Sequence, residues 1–329
     1  MQRILIGVLL VCLLNVSFVS TTAAKDQMVL GYSGTSGLFS GMWIAHEAGY
    51  FGKYNIEAQM VFIPSASMMV QAMLGGDVPF AAAGGNAAVD ATLAGGDFVM
   101  VGALATVPAY YIMALPEIKR IEDLRGKAVG VTRFGSATDF TMRYILRKHG
   151  LEPGRDVTII QMGDSPALVA ATRTHAIVAA PFSSPFNVQA QEIGARVLVE
   201  MGKAGINFPH DAWITRRSFI ESHNDLVPRL LKGYSEGVHR LFTDKEFSKG
   251  VIRRYARVSE AKIVEAVYQY ALDYVEKIPY NTHAGIQEVL NQIAPRNPKA
   301  KIAKPESFYD DRYLKELEAA SFFKQLWGR

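Results

Sequence analysis

The chain has 329 residues, of which 49% are hydrophobic, so it can bury a large core over two domains, and disorder is excluded as its main state. Its 35 basic and 31 acidic residues are interspersed, which leaves a formal net charge of +4. Because no long basic run interleaves with aromatic residues, we expect no nucleic-acid partner.

The N-terminus is typical of a secretory signal peptide. A basic start is followed by an apolar run over residues 4–19 and by small residues before Lys25. Since the apolar run is short, we predict that residues 1–24 are a signal peptide, cleaved after Ala23 or Ala24, with an uncleaved anchor as the alternative. The mature protein is then expected in the periplasm.

The cysteine content excludes several kinds of anchor and functional site. Cys12 is the only cysteine, and Val11 precedes it where a lipoprotein signal needs a small residue, so we expect no lipid anchor. After cleavage the chain has no cysteine, which excludes a disulfide framework, a thiol nucleophile and a thiolate metal site. No later stretch is long and apolar enough to span a membrane, which predicts a soluble protein.

Three strand–turn–helix units follow in order. Strand candidates over 28–32, 60–63 and 78–83 end in turns rich in glycine and serine, and each turn leads into a helical pattern. This alternation predicts an α/β fold with a parallel sheet, whose ligands bind beyond the carboxyl ends of the strands. The three turns should therefore face one cleft.

A second lobe is predicted after two further strand candidates, with the crossing at residues 117–127. It repeats the strand–turn–helix pattern until about Gly205, where mostly helical patterns begin. A helical tail cannot form a third sheet, so we expect it to cover the first lobe. Lobe I is therefore predicted to comprise 25–116 and 206–329, and lobe II to comprise 117–205.

The stretch from Ile121 to Phe140 contains the clearest of these turns. The strand candidate 128–132 ends at a turn with one glycine and two hydroxyls, Ser136 and Thr138, and a helix follows at once. A helix N-terminus has unpaired N–H groups and a partial positive charge, so it can hold an anionic or strongly polar group. The alternative is that one hydroxyl simply caps the helix.

Aromatic and acidic side chains near the predicted strand ends are further candidates. Aromatics that could wall an apolar ligand body are Trp43, Tyr110, Tyr111, Phe182, Phe186 and Trp213. Each could instead belong to the core. Asp164 is read most simply as a helix cap, whereas Asp211 could pair with a cationic ligand group or with a base that closes the lobes.

Evidence for catalysis is absent from the sequence. The seven histidines form no close pair of the metal-binding type, and the zinc-protease, nucleophile-elbow and P-loop motifs are missing. The neighbours His210 and Asp211 do not by themselves place two side chains for one reaction. We therefore predict no enzyme, no catalytic residue, no metal and no cofactor.

Several stretches resemble a known family, namely 45–52, 74–80, 121–138, 149–157, 297–298 and 308–310. In these, the chain resembles the periplasmic substrate-binding proteins of ABC importers in the nitrate/sulfonate/taurine group (SsuA/THI5-like, NMT1-like), which includes binders of thiamine pyrimidine precursors. The resemblance implies a type II periplasmic binding protein: two α/β lobes with mainly parallel sheets, a two-strand hinge and closure on the ligand. One departure is Thr174–Ala179, which lacks the acid of the relatives' Gly-x-Ile-Asp-Ala sequence and leaves ligand contacts at that edge open.

By position, four turns correspond to the family's ligand-contacting loops. With the aromatic and acidic candidates they give the predicted binding set: Ser33, Gly34, Trp43, Ser65, Gly85, Asn86, Tyr111, Gly135, Ser136, Ala137, Thr138, Phe182, Asp211 and Trp213.

The function implied is an extracytoplasmic receptor, expected as a monomer, that captures a small organic solute and delivers it to a permease with a cytoplasmic ATPase. Sulfonates, carboxylates, pyrimidines and aromatic acids are the solute classes considered. Two alternatives stay open. One is an enzyme on the same scaffold, as in menaquinone-pathway enzymes and pyrimidine synthases, against which the signal peptide and the missing cysteines argue. The other is a receptor that reports to a membrane sensor.

Overall fold

The structure is a computed structural model that describes residues 25–328. The predicted signal peptide and Cys12 lie outside the described residues, so cleavage and the absence of a lipid anchor stay predictions. Across the described part of the chain, no helix has the length and apolar character that a membrane span requires.

The described residues form ten strands and fourteen α-helices. The strands are β1 (Asp26–Tyr32), β2 (Ile56–Phe62), β3 (Phe80–Ala83), β4 (Phe98–Ala105), β5 (Tyr111–Ala114), β6 (Ala128–Val131), β7 (Thr158–Gln161), β8 (Ala179–Phe182), β9 (Arg196–Glu200) and β10 (Asp211–Arg216). The helices are α1 (Ser40–Glu47), α2 (Tyr50–Lys53), α3 (Ala66–Gly75), α4 (Gly85–Leu93), α5 (Ala137–Lys148), α6 (Ser165–Arg173), α7 (Phe186–Glu192), α8 (Arg217–Ser222), α9 (Leu226–Thr243), α10 (Lys245–Tyr255), α11 (Ala261–Tyr274), α12 (His283–Ile293), α13 (Arg312–Ala319) and α14 (Phe322–Trp327).

Two five-stranded sheets confirm the predicted α/β fold with two lobes. The strand orders are β2-β1-β3-β10-β4 and β7-β6-β8-β5-β9. In each sheet four strands share one direction, and the fifth, β10 or β5, is antiparallel to both of its neighbours. These two reversed strands are the ones that the chain enters directly after passing from one sheet to the other.

The position of β5 differs from the predicted lobe boundary. We expected residues 25–116 to belong to lobe I, but Tyr111–Ala114 pairs with β8 and β9 of the second sheet. The first crossing therefore lies between β4 and β5, before Tyr111. A short apolar strand carries no sequence signal that says which sheet it joins, whereas Pro108 marks the actual break. Hereafter lobe I means the first sheet with its helices, and lobe II the second.

The cores follow from the alternation of side chains along each strand. Phe80 and Trp213 face one buried cluster of lobe I, while Ala81 and Ile214 face a second cluster on the other side of the sheet. Helices that follow β10 contribute to both clusters, for example through Leu231, Val251, Val264, Leu314 and Val289. The first sheet is thus covered on both faces by helices.

Helices α1 and α9 approach so closely that one contact admits only glycine. A Cβ placed on Gly237 would lie 2.2 Å from the carbonyl oxygen of Gly41 and 2.7 Å from the Cβ of Ala45. Backbone atoms cannot yield as a flexible side chain can. The contact therefore holds α9 against the first two turns of α1.

A matched pair of glycine-to-alanine substitutions tests this contact. Gly237→Ala should lower the free energy of unfolding by about 2 kcal/mol or more, because the methyl group overpacks the α1–α9 contact. Gly250→Ala, inside α10 with nothing within 4 Å of the added Cβ, should instead raise it by roughly 0.5–1 kcal/mol. Urea denaturation of both variants checks this, and equal effects would contradict the packing argument.

Candidate functional site

A cavity of about 350 Å³ lies between the two lobes. Its walls are the segments just beyond the carboxyl ends of β1, β2 and β3 in lobe I and of β6, β7 and β8 in lobe II. The start of β10, the first crossing segment and the residues after α10 complete it. The volume is at the lower end of the range for small-molecule sites.

The lobe I wall is built from the turns after β1 and β2. Ser33, Thr35 and Ser36 follow β1, and Ser65 immediately precedes α3. The Ser65 N–H donates to the Ser33 carbonyl oxygen (3.1 Å), which ties the two turns together. Ser65 has φ +76°, an uncommon conformation for a residue with a side chain, and such outliers concentrate at functional sites.

The lobe II wall carries a cluster of three hydroxyls at the N-terminus of α5. The Thr132, Ser136 and Thr138 oxygens lie 2.8–3.0 Å from one another. Ser136 also accepts the N–H of Asp139 (3.3 Å), so it caps the helix as the alternative interpretation held, and all three hydroxyl residues line the cavity. Capping and contact with the cavity are therefore compatible.

Asp164, in the turn after β7, also caps a helix and lines the cavity. Its Oδ1 accepts the N–H of Ala167 (2.9 Å) at the start of α6, which confirms the predicted cap. Asp164 also lines the cavity and is exposed. Its carboxylate thus has a structural partner within its own helix.

The base of the cavity is formed by His210 and Asp211, which are 2% and 5% exposed. Nδ1 of His210 accepts the N–H of Ala109 (2.8 Å), so a neutral ring carries its proton on Nε2. Burial lowers the pKa of His210 to about 3 and raises the pKa of Asp211 well above its usual range. Burial thus favours the neutral form of both side chains at the base of an otherwise hydroxyl-rich cavity.

Aromatic side chains and one cation complete the lining. Phe39 and Phe62 belong to lobe I, Phe186 to lobe II, and Tyr110 to the first crossing segment, where its ring centroid lies 4.3 Å from that of His210. Arg257, just beyond α10, is exposed and has φ +55°. An apolar ligand body would meet rings from both lobes.

The predicted binding residues divide into three groups, two of which lie at or beside the cavity. Seven of them line the cavity together: Ser33, Gly34, Ser65, Ser136, Ala137, Thr138 and Asp211. Gly85, Asn86 and Gly135 lie beside it, and the Asn86 Nδ2 donates to the Gly135 carbonyl oxygen (2.9 Å) from one lobe to the other. Contact of these residues with a ligand stays a prediction.

Four predicted aromatic walls do not line the cavity. Trp43 and Trp213 have 0% exposure in the lobe I core, and Phe182 has 1% in a lobe II core. Tyr111 lies in β5 and packs near Tyr270, with ring centroids 6.5 Å apart. Burial of these large rings stabilises the two cores, and a sequence pattern does not distinguish that role from a ligand wall.

Several residues that line the cavity were not predicted from the sequence, and they differ in how clear a sequence signal they carry. Ser183 follows β8 in a serine-proline turn, so the strand-to-turn pattern could have identified it. Phe39, Phe62 and Arg257 carry no such signal. Arg257 in particular comes after a helix in the C-terminal part and reaches the site only through the tertiary fold.

Among residues 25–328, no group of three or more His, Cys, Asp or Glu side chains is placed to hold a metal ion.

A model of the family described as NMT1/THI5 like matches residues 37–246. The nitrate/nitrite binding protein NrtA of Nostoc sp. is 28% identical over 156 residues, which are 45% of this chain and 34% of that relative. The chain thus spans about a third of the length of that curated relative.

Solved structures share the fold. The alkanesulfonate-binding protein SsuA from Xanthomonas axonopodis pv. citri, bound to MOPS, has a TM-score of 0.72 at 18% identity, covering 86% of this chain and 96% of that one. The periplasmic nitrate-binding protein NrtA from Synechocystis PCC 6803 has a TM-score of 0.73 at 14% identity, covering 90% and 89%. An enzyme shares it too: the desulfurization enzyme DSZB has a TM-score of 0.63 at 15% identity, covering 90% and 99%.

The opposite pKa shifts of His210 and Asp211 generate a pH prediction. Between about pH 4.5 and pH 6, the lowered pKa of His210 makes stability rise with pH, whereas the raised pKa of Asp211 makes it fall, so the two contributions oppose each other in the wild type. In Asp211→Asn only the histidine contribution remains, and the free energy of unfolding should rise by about 2 kcal/mol over this interval.

The partner variant should show the opposite sign. In His210→Gln only the aspartate contribution remains, and because its pKa is raised in the folded protein, stability should fall as the pH rises over the same interval. Urea denaturation of both variants and the wild type at the two pH values measures the slopes. Parallel slopes in all three proteins would show that the pair is not neutral in the folded state.

Proposed function

The chain belongs to the NMT1/THI5-like family, and we propose that it is the extracytoplasmic solute-binding receptor of an ABC importer, which captures a small organic solute between its two lobes. The observation that carries this is a cavity lined by strand-end turns of both sheets. Because both lobes supply hydrogen-bond donors, a solute bound there stabilises the arrangement in which the lobes meet.

The chemistry of the walls supports a solute with a polar or anionic head. Serine and threonine hydroxyls and the N-termini of α3 and α5 supply hydrogen-bond donors and a partial positive charge. The nitrate/nitrite binding and alkanesulfonate-binding proteins named above handle oxyanions. A cavity of about 350 Å³ greatly exceeds the roughly 30 Å³ that one water occupies in the liquid, which favours an organic body on that head.

Closure of the lobes is proposed to trap the solute. Two hydrogen bonds join the lobes beside the cavity: Asn86 Nδ2 to the Gly135 carbonyl oxygen (2.9 Å), and the Gly37 N–H to the Ser184 carbonyl oxygen (3.3 Å). The two crossing segments, 106–110 and 201–210, are the only covalent links between the sheets within the described chain. Rotation about these segments would break both bonds and open the cavity.

The remaining parts of the proposal follow from the family. The solute classes are sulfonates, carboxylates, pyrimidines and aromatic acids, and the receptor acts as a monomer in the periplasm after removal of residues 1–24. It delivers its solute to a permease with a cytoplasmic ATPase.

An enzyme is the second candidate, because DSZB shares the fold and because His210 and Asp211 lie in the cavity. Their adjacency does place both side chains at one site, although Nε2 of His210 and Oδ2 of Asp211 are 3.9 Å apart. Recovery of a bound solute chemically unchanged, one per protein molecule, would support the receptor, whereas turnover would support the enzyme.

Ligand binding should be visible as thermal stabilisation. A solute at one hundred times its Kd should raise the free energy of unfolding by about 2.7 kcal/mol, because it binds only the folded protein. Differential scanning fluorimetry with sulfonates, carboxylates, pyrimidines and aromatic acids measures the shift. If neither this panel nor any copurified solute bound the protein, the receptor proposal would fail.

A cross-link tests closure directly. A Cβ on Gly84 would lie 3.5 Å from the Cβ of Ala137 in the other lobe, within the range for a disulfide. The oxidised double variant Gly84→Cys/Ala137→Cys, prepared with solute bound, should release it much more slowly than the reduced form.

Each single cysteine variant serves as the control, since it changes the same surface without linking the lobes. Stopped-flow or filter-binding measurements of solute release, with and without reductant, give the comparison. Equal release from the oxidised and reduced double variant would contradict trapping by closure.

A further inference from the structure

The C-terminal end of α11 packs against both segments that connect the two lobes. Tyr270 and Tyr274 are about one helical turn apart, so their rings share one face of α11, with centroids 5.0 Å from each other. The Tyr270 hydroxyl donates to the Ala109 carbonyl oxygen in the first crossing segment. The Tyr274 ring lies against Gly202 in the second, where an added Cβ would come 2.3 Å from that ring. One helix face therefore contacts both crossing segments.

The Tyr274 hydroxyl also forms a hydrogen bond to lobe II. It donates to Oε1 of Glu200 (2.9 Å), the last residue of β9. Glu200 is held in the second sheet by its pairing with Tyr111, and its carboxylate also pairs with Lys203 (3.1 Å). Tyr274, by contrast, packs against a core cluster of lobe I. The donor and the acceptor are therefore anchored in different lobes.

The residues that follow α11 form hydrogen bonds of a different kind. The Glu276 N–H donates to the Leu104 carbonyl oxygen (2.9 Å), and the Pro279 carbonyl oxygen accepts the Ala103 N–H (2.6 Å). Both of these partners belong to β4 of lobe I. Because these bonds lie within one lobe, they do not depend on how the lobes are oriented, whereas the bond from Tyr274 to Glu200 does.

Rotation of lobe II about the crossing segments would separate Glu200 from Tyr274. Glu200 moves with its sheet while Tyr274 stays with the core of lobe I, and a hydrogen bond weakens once its donor and acceptor are more than about 3.2 Å apart. Burial and the bond to Glu200 raise the pKa of Tyr274, so the hydroxyl keeps its proton and remains a donor. The bond is therefore made when the lobes meet and lost when they part.

Resting on the proposed closure of the lobes, we propose that Tyr274 is a hinge latch, a side chain outside the cavity that favours the closed form through its bond to Glu200. Neither residue lines the cavity, so the latch acts on the equilibrium between open and closed forms and not through contact with the solute. It raises the affinity for a solute because it populates the form that is competent to hold one.

The closed population can be measured without any solute. The chain beyond residue 24 has no cysteine, so Gly84→Cys/Ala137→Cys has one disulfide to form, and it forms when the lobes meet. The open population is measured with Ala137→Cys alone, since residue 137 is 6% exposed here and reacts with a bulky maleimide when the lobes part. The protein is first freed of copurified solute by dialysis.

Tyr274→Phe is added to both cysteine backgrounds. It removes the hydroxyl but keeps the ring, and it should change the ratio of closed to open protein by about fivefold in favour of the open form. If the open form dominates, disulfide formation under a fixed oxidant slows by that factor. If the closed form dominates, maleimide labelling accelerates by that factor. One of the two rates therefore responds in either case.

Tyr255→Phe is the matched control. The Tyr255 hydroxyl donates to Glu47 (2.8 Å), and that carboxylate also pairs with a neighbouring cation, Arg254. The bond joins α10 to α1, and both helices belong to lobe I. Because this variant removes the same kind of bond without crossing between the lobes, it should change neither rate. Thermal unfolding verifies that both variants are folded.

A double-mutant cycle distinguishes the latch from a general loss of packing. Glu200→Ala should change the rates as Tyr274→Phe does, and the double variant should show little further change, because both substitutions remove one bond. Effects that simply add would show that the two side chains act separately, which would contradict the latch.

The remaining outcomes separate the latch from the receptor function. If Tyr274→Phe changes neither rate, behaves like Tyr255→Phe or favours the closed form, the latch is wrong, and closure and the receptor function stand. If Gly84→Cys/Ala137→Cys forms no disulfide in the otherwise unchanged protein, closure and the latch both fail. Thermal stabilisation by a solute tests the receptor function independently of both.

Discussion

The pairing of the two crossing segments is the constraint on which the rest of the molecule depends. The N–H groups of Phe208 and His210 donate to the carbonyl oxygens of Thr106 (2.7 Å) and Ala105 (3.1 Å), and the Met201 N–H donates to that of Tyr110 (2.8 Å). These bonds hold the segments side by side, so the carboxyl ends of both sheets face one gap. These bonds also place His210 and Asp211 at the base of the gap, where the crossing segments lead into the lobes.

The polar residues at the base of the gap lower the stability of the protein but are available to a solute. Desolvation favours the uncharged forms of His210 and Asp211, and burying these polar groups costs stability that an apolar pair would not. The two large cores of lobe I offset that cost, with fully buried rings such as Trp43 and Trp213. The buried cores thus stabilise the two lobes, whereas polar groups that a solute can bind lie in the gap between the lobes.

Features caused by neighbouring residues in the sequence were predictable, whereas features that depend on distant contacts were not. Strand-to-turn units were visible because Ser33, Ser65 and Ser136 lie in the turns that separate a strand from the next helix. The pairing partner of β5 and the arrival of Arg257 at the cavity depend on contacts distant in sequence, which periodicity does not encode. Four of the six aromatic candidates do not line the cavity; Trp213, for example, lies inside β10 in the lobe I core, whereas Asp211, at the start of that strand, faces the gap.

The most direct measurement of the central claim is a crystal structure of the protein with its copurified or panel-identified solute. The account predicts density between the lobes, touching Ser136 or Thr138 of lobe II and Asp211 at the base, with the Asn86–Gly135 bond intact. Density bound to the outer face of one lobe, with this gap filled only by solvent, would contradict it.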